Sequence, residues 1–248
     1  MPPACEAVPR EHEEHMKSSW MGLGWVVVLA AVGCAGPRML APREVSQGSQ
    51  TLEVADRSSM SGSLVDESFK LGKFAVADVD RDWNKKSGFA VAGYSNDSTT
   101  TGYSYNLKGG PEPWAGSCAS KADKQGVKVL GGEAAWGKTS ITCECKNGAT
   151  TASVVLKADS PDSAKKMSGE LSVGSAKYKV SVVTETDKSN FSDSPAGFRF
   201  DGEAGAVAAV EILRPGRVWL NERLPEAERP PVACLSAGLM LYQAPSEH

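Results

Sequence analysis

Lys138 to Leu156, KTSITCECKNGATTASVVL, decides the fold. Thr139, Ile141, Cys143 and Cys145 alternate with Lys138, Ser140, Thr142, Glu144 and Lys146, the period of a strand with one buried face. Asn147-Gly148 follows, and Asn-Gly is the strongest two-residue hairpin signal because both central residues of a type I′ turn need positive φ. A turn centred there sets Cys145 opposite Thr150, Cys143 opposite Ala152 and Ile141 opposite Val154, so the apolar faces agree and both cysteines point inward. The chain therefore begins from an antiparallel β-hairpin.

Similar pieces lie on both sides. Phe69–Val79 and Phe89–Tyr94 read as strands, with Ser95–Gly102 a polar loop between the second of these and the next. Tyr103, Tyr105 and Leu107 alternate with Ser104, Asn106 and Lys108, and Gly109-Gly110-Pro111 ends the run. Val127–Leu130 is a short strand closed by Gly131-Gly132. Leu171–Val173 and Tyr178–Thr184 form a hairpin across Gly174-Ser175. Phe198–Phe200 is a short strand. Ala206–Leu213 and Arg217–Leu220 form another hairpin across Arg214-Pro215-Gly216, where Pro then Gly suits a type II turn. Val232–Tyr242, VACLSAGLMLY, is apolar on nearly every side and follows Pro230-Pro231. Proline is at home in a first helical turn, and a helix apolar all round is buried. A core strand is the alternative for so short an apolar run.

The fold class is thus mainly β, an antiparallel meander forming a barrel or a sandwich, with a short apolar C-terminal helix buried. The element order over about residues 67–243 resembles the Tubby-like architecture, a meander closed around a buried C-terminal helix. That resemblance implies phosphoinositide or other lipid binding, and it places none of the family's binding residues on this sequence. A β-sandwich fits the strand count equally.

The N-terminal region has a different character. Trp20–Cys34, WMGLGWVVVLAAVGC, is an apolar run preceded by Met16-Lys17 and ended by small residues. Charged start, apolar run and small-residue cleavage site make a secretory signal. Ala31-Val32-Gly33-Cys34 resembles the lipobox of bacterial lipoproteins, although that family more often has Leu where Ala31 stands. The resemblance implies a diacylglyceryl thioether on Cys34, an acylated amino group (palmitate being the usual label), and attachment to the cell envelope without a spanning helix. Ala35 rather than Asp after the cysteine favours the outer membrane, facing the periplasm. Residues 1–15, MPPACEAVPREHEEH, are too acidic for a signal start, so translation is expected to begin at Met16. The expected organisation is a signal peptide over 1–33, Cys34 and a flexible tether over 34–66 with a short strand at Thr51–Val54, and a single β-rich domain over 67–248.

Composition excludes several functions. The 248-residue chain has a net charge of −3, and removing 1–33 takes away Arg10 and Lys17 against Glu6, Glu11, Glu13 and Glu14, leaving −1. There is no basic surplus for nucleic acid. The three histidines are His12, His15 and His248, so no positioned imidazole serves a Ser-His-Asp triad or a zinc site. Asp78, Asp80, Asp82 and Asn84 around Trp83 suggest calcium. An EF-hand counted from Asp78 fails, because Trp83 and Phe89 stand where Gly and Glu are required. No catalytic residue, metal or cofactor is assigned.

The cysteines carry the covalent expectations. Cys5 leaves with the signal and Cys34 takes lipid, so Cys118, Cys143, Cys145 and Cys234 are disulfide candidates in an oxidising compartment. Cys143 and Cys145 sit roughly 6.5–7 Å apart along one strand, at or beyond disulfide reach. They should pair elsewhere, Cys118 with one of them.

The functional expectation is a lipid-anchored envelope protein with a non-catalytic binding or structural β domain. Its membrane contact is through Cys34, and its protein, lipid or glycan ligand is unnamed. A Tubby-like lipid binder is the first alternative. A carboxylate-dependent hydrolase using acids such as Glu133, Glu144, Asp78, Asp80 or Asp82 is the second. Trp83, Trp114 or Trp136, if exposed, suit a carbohydrate or peptide partner, with packing in the core or a loop as their ordinary role.

Overall fold

The computed structural model describes residues 36–58, 66–82, 85–91, 94–129, 132–148, 150–159, 166–188 and 195–242. Thirteen antiparallel strands follow one another: β1 (Ser49–Ala55), β2 (Phe69–Leu71), β3 (Phe74–Arg81), β4 (Lys85–Val91), β5 (Tyr94–Lys108), β6 (Trp114–Val129), β7 (Gly132–Asn147), β8 (Thr150–Ala158), β9 (Ser168–Val173), β10 (Ala176–Val183), β11 (Gly197–Gly202), β12 (Gly205–Glu211) and β13 (Arg217–Asn221). A four-residue helix α1 (Arg43–Ser46) precedes them and α2 (Arg229–Leu241) ends the fold. Neighbours pair in sequence from β4 to β13, then β13 pairs with β1, β1 with β2 and β2 with β3. Pairing of β3 with β5 closes twelve strands into a barrel and leaves β4 outside it. The sandwich alternative is therefore set aside.

Alternation along each wall strand explains the closure. Tyr103, Tyr105 and Leu107 of β5, Ile141, Cys143 and Cys145 of β7, and Val154 and Leu156 of β8 all point into one buried cluster. That cluster encloses α2, in which every residue from Pro231 to Leu241 is buried. Val232–Tyr242 is therefore a helix rather than a core strand. It is apolar all round because it is surrounded by barrel wall all round. Gly238 lets the helix come close, since a Cβ there would lie 2.6 Å from Tyr105 Oη and 2.7 Å from Cys118 Sγ.

Three sequence expectations are corrected. The first is the tether. Residues 36–57 belong to the folded body: β1 pairs with β13 from Ser49↔Asn221 to Glu53↔Arg217 and with β2 beyond that. Ahead of it, Met39, Val45 and half-buried Ala41 cover the outside of β10–β13 against Val183, Ala209 and Trp219. The Arg38 segment is pinned by buried Glu211, whose Oε1 accepts from Met39 N–H at 2.7 Å and whose Oε2 lies 3.1 Å from Arg38 Nη2. The partner of Arg38 lies 173 positions away, which is why local pattern gives no hint of it.

The second correction is the central hairpin's register. Asn147 pairs with Thr150, so Cys145 faces Ala152, Cys143 faces Val154 and Ile141 faces Leu156. Of Asn147 and Gly148, Gly148 takes positive φ (53°) and Asn147 does not; Asn147 donates its side-chain amide to Glu112 O at 3.3 Å. A shift of two residues keeps every side chain on its face, so the apolar pattern is indifferent to it.

The third is the polar loop. Ser95–Gly102 lies within β5, and Val127–Val129 is the outer end of the 16-residue β6, Leu130 lying outside the described residues. Strand β5 changes partner near Gly102: its second half pairs with β3 inside the barrel and its first half with β4. Strands β6 and β7 stay paired out to Val129↔Gly132, whereas β8 joins β7 only from Thr139. The outer ends of β4–β7 thus form a four-stranded wing standing off the barrel wall. Its Ser and Thr residues fit a pleated sheet but show no alternation, because neither face of the wing is sealed from water.

Candidate functional site

The four body cysteines meet around α2. Cys118 of β6 faces Cys143 of β7 directly, with 4.0 Å between Cα atoms, and the two form a disulfide. Cys145 crosses to Cys234 of α2, with Cα atoms 6.3 Å apart. Cys118 thus pairs with one of the two adjacent cysteines, as their spacing predicts, and the second bond ties the helix to the wall. Cys34 lies outside the described residues.

Polar groups fasten the same helix. Tyr103 Oη donates to Gly238 O at 2.7 Å and Tyr105 Oη donates to Cys234 O at 2.8 Å. Burial pushes both phenols above their ordinary range. At the helix C-terminus, Arg57 donates to Met240 O and Arg81 Nη2 donates to Leu241 O at 2.8 Å. These cations satisfy carbonyls that have no intrahelical partner, at the negative end of the helix dipole. Arg81 also grips Glu67 with two hydrogen bonds of 2.6 and 2.7 Å. Desolvation, then the charge of Arg214, lower the Arg57 pKa to about 10, against an opposing pull from Glu67. The cavity among Arg57, Arg81, Arg214 and Tyr242 has a volume of about 30 Å³, room for about one water molecule. Its arginines hold the helix end.

Of the candidate acids, Asp78 and Glu144 have ion-pair partners of their own. Asp78 Oδ2 accepts from Lys108 at 2.7 Å and from Asn106 at 3.1 Å, which hold its carboxyl below the ordinary range. Glu144 pairs with Lys146 at 2.9 Å on the barrel exterior. Asp80 sits on β3 opposite Ser104, and Asp82 lies against Gly102. Glu133 faces Lys128 in the β6–β7 ladder. Among the described residues no group of three or more His, Cys, Asp or Glu is placed to hold a metal ion. Trp83 and Asn84 lie outside the described residues, and Trp114 is buried in the barrel core.

Trp136 has a different setting. It is 46% exposed on the wing. Cross-strand partners share a face, so the register aligns rows across the four strands. Ser87, Ser98, Asp123 and Lys138 form one row, and Phe89, Asn96, Gln125 and Trp136 the next. Val91, Tyr94 and Val127 share that face one step nearer the tip. A groove of about 500 Å³ opens there between Trp136, Asn96, Gln125, Asp123, Lys138 and Asp159. Trp136 Nε1–H donates to Gln125 Oε1 at 2.8 Å. Desolvation works against ionisation of Asp123, but hydrogen bonds from Lys121 and Ser98 outweigh it and hold its carboxyl below the ordinary range. Composition alone marked Trp136. Its polar neighbours come from three other strand segments and become visible only once the register of the wing is known.

No family model, no curated protein and no solved structure matches this chain.

Proposed function

We propose that the chain is an exported lipoprotein, held in the cell envelope by acyl chains on Cys34, whose barrel is a non-catalytic binding or structural domain. The observation that carries the reading is the helix inside the barrel. Helix α2 takes the interior that a ligand-carrying barrel would leave open, so ligands or partners are met on the outer surface. Two disulfides using all four body cysteines support export, since such bonds persist in oxidising compartments. The short chain between Cys34 and Arg38 supports close attachment. Four residues span at most ~14 Å, so lipid on Cys34 keeps Arg38 near the headgroups. Ala35 favours the outer membrane.

Labelled palmitate and membrane fractionation test this reading. The native chain is expected to take up label and pellet with membranes, and Cys34→Ala to lose both. Continued labelling and pelleting of Cys34→Ala overturns it.

A second reading, a lipid-binding module of Tubby-like kind, is favoured by one specific observation: α2 lies within a closed twelve-strand barrel. It expects the unacylated Cys34→Ala protein to float with vesicles containing phosphatidylinositol bisphosphate. Failure to float with them overturns it.

A further inference from the structure

We infer that the wing face around Trp136 is a saccharide-binding site for a neutral glycan chain. The inference does not depend on acylation of Cys34.

The groove lies on the face of the sheet, beside the outer half of β7, whose described pairing with β8 starts at Thr139. Backbone groups on the β4–β5, β5–β6 and β6–β7 ladders are consumed, so across the face a ligand is held by side chains. Those on offer are two amides, Asn96 and Gln125, two carboxylates, Asp123 and Asp159, the Lys138 ammonium and the Trp136 indole. Amides and carboxylates present several donors and acceptors in one plane, which suits the closely spaced hydroxyls of a sugar ring. A volume of about 500 Å³ is that of a small-molecule site, within the roughly 300–1,000 Å³ usual for ligand pockets.

Trp136 supplies the apolar partner. An exposed indole normally turns its N–H to water, yet here Gln125 Oε1 takes it at 2.8 Å. The hydrogen bond satisfies the ring's one polar atom and fixes its plane, so its face stays open to C–H groups. A ligand then loses little in ordering the side chain. Phe89, 55% exposed, stands in the same row on β4 with Tyr94 beside it, their ring centroids 5.9 Å apart. Three inter-strand spacings separate Phe89 from Trp136, ~14 Å at 4.7–4.9 Å each. Two aromatic stations at that distance fit a chain of several sugars rather than a single ring.

Charge narrows the class. Asp123 and Asp159 are balanced by Lys138 and by Lys121, whose Nζ lies 2.9 Å from Asp123 Oδ2, so the groove has no positive surplus to hold nucleic acid or acidic polysaccharides. A peptide is less well served, because a peptide strand sends its side chains into pockets and the floor of this groove is polar.

Binding of the full disulfide-bonded chain to chitohexaose and cellohexaose by calorimetry, and co-sedimentation with purified peptidoglycan sacculi, test the inference. The native protein is expected to bind at least one of these, and not heparin. Trp136→Ala should weaken binding tenfold or more and Trp136→Phe by less than about threefold. Gln125→Ala, which frees the indole without removing it, should fall between them. Retention of both disulfides and of the melting temperature shows that each variant is folded. Three results would each overturn the inference: no binding to any of the three glycans, binding equal in Trp136→Ala and the native chain, or Trp136-dependent binding of heparin or of an arrayed peptide in place of the neutral sugars.

Discussion

Removing the Cys145–Cys234 bond should cost more than removing Cys118–Cys143, and the structure says by how much. The first closes a loop with a sequence separation of 89 and the second one of 25. Cross-linking removes denatured-state entropy as about 2.1 + 1.5R ln n cal/mol/K, which gives about 4.6 kcal/mol for the longer loop and about 3.5 kcal/mol for the shorter at 25 °C. The loops do not overlap along the chain, so the two terms add. Each Cys→Ala pair also vacates two buried sulfurs. That packing loss, on the order of 1 kcal/mol per site, is shared by both pairs and cancels in the comparison. The assay is urea unfolding of the native chain, Cys145→Ala/Cys234→Ala and Cys118→Ala/Cys143→Ala. The first variant should lose about 1 kcal/mol more than the second, and both should show a larger m-value because the unlinked denatured chain exposes more surface. If Cys145→Ala/Cys234→Ala loses less than the other pair, or less than about 1 kcal/mol in all, then α2 is not held to the wall in the way described.

Three further predictions follow from the same core. Gly238→Ala gains about 1 kcal/mol of helix propensity, but its methyl would lie 2.6 Å from Tyr105 Oη; thermal melts should show a net loss, since overpacking costs roughly 1–3 kcal/mol. Glu67→Ala leaves the Arg81 guanidinium, 9% exposed, without its bidentate partner, and urea titration should show a loss of about 3–5 kcal/mol. The exposed Glu144→Ala control should lose at most about 1 kcal/mol. The third is alkaline unfolding. Tyr103 and Tyr105 have raised pKa values, so the stability they contribute is fully present below the unfolded value near pH 10 and is lost as pH rises through the folded values. Two phenols lose about 2.7 kcal/mol per pH unit above pH 10. Arg57 acts with the opposite sign, because its pKa is lowered to about 10, and returns about half of that. Tyr178 and Tyr242 have raised values too and add to the fall. Urea midpoints measured from pH 9 to 11 should therefore fall, and Tyr103→Phe should make the fall shallower without reversing it.

Where one face of a strand is dry and the other wet, the sequence can be read directly. Ile141, Cys143 and Cys145 on β7 and Tyr103, Tyr105 and Leu107 on β5 are such cases, and their alternation carries the mainly β reading. Helix α2 was legible for the opposite reason: it has no wet face at all. The wing escaped notice because both its faces are solvated, so Ser95–Thr101 has nothing to alternate between. Strand β1 is legible only as the short strand Thr51–Val54 within a tether, because only Leu52 and Val54 of its seven residues are buried, too little pattern to mark it as part of the barrel. The groove was invisible for a further reason. Asn96, Asp123, Gln125 and Lys138 are ordinary polar residues in sequence, and only cross-strand register assembles them beside Trp136.

The exposed edge of the wing bears on whether that face remains available. A flat outer strand with free N–H and C=O groups tends to pair with another chain. Strand β4 is such an edge, bonded among the described residues to β5 alone, and all seven of its residues are exposed. It opens with Lys85-Lys86 and continues through Ser87-Gly88, so charge and a weak strand former occupy the half of the edge nearest the barrel. Two copies approaching antiparallel along β4 would bring one copy's lysines against the apolar Phe89–Val91 end of the other, and copies approaching parallel would oppose like charges. Both arrangements disfavour edge pairing. The apolar groups at Phe89 and Val91 are confined to the outer end, where they lie in line with Tyr94 and Val127 on the same face as Trp136. The β4 edge therefore resists pairing, while continuity of β5, β6 and β7 with the barrel wall holds the wing in place.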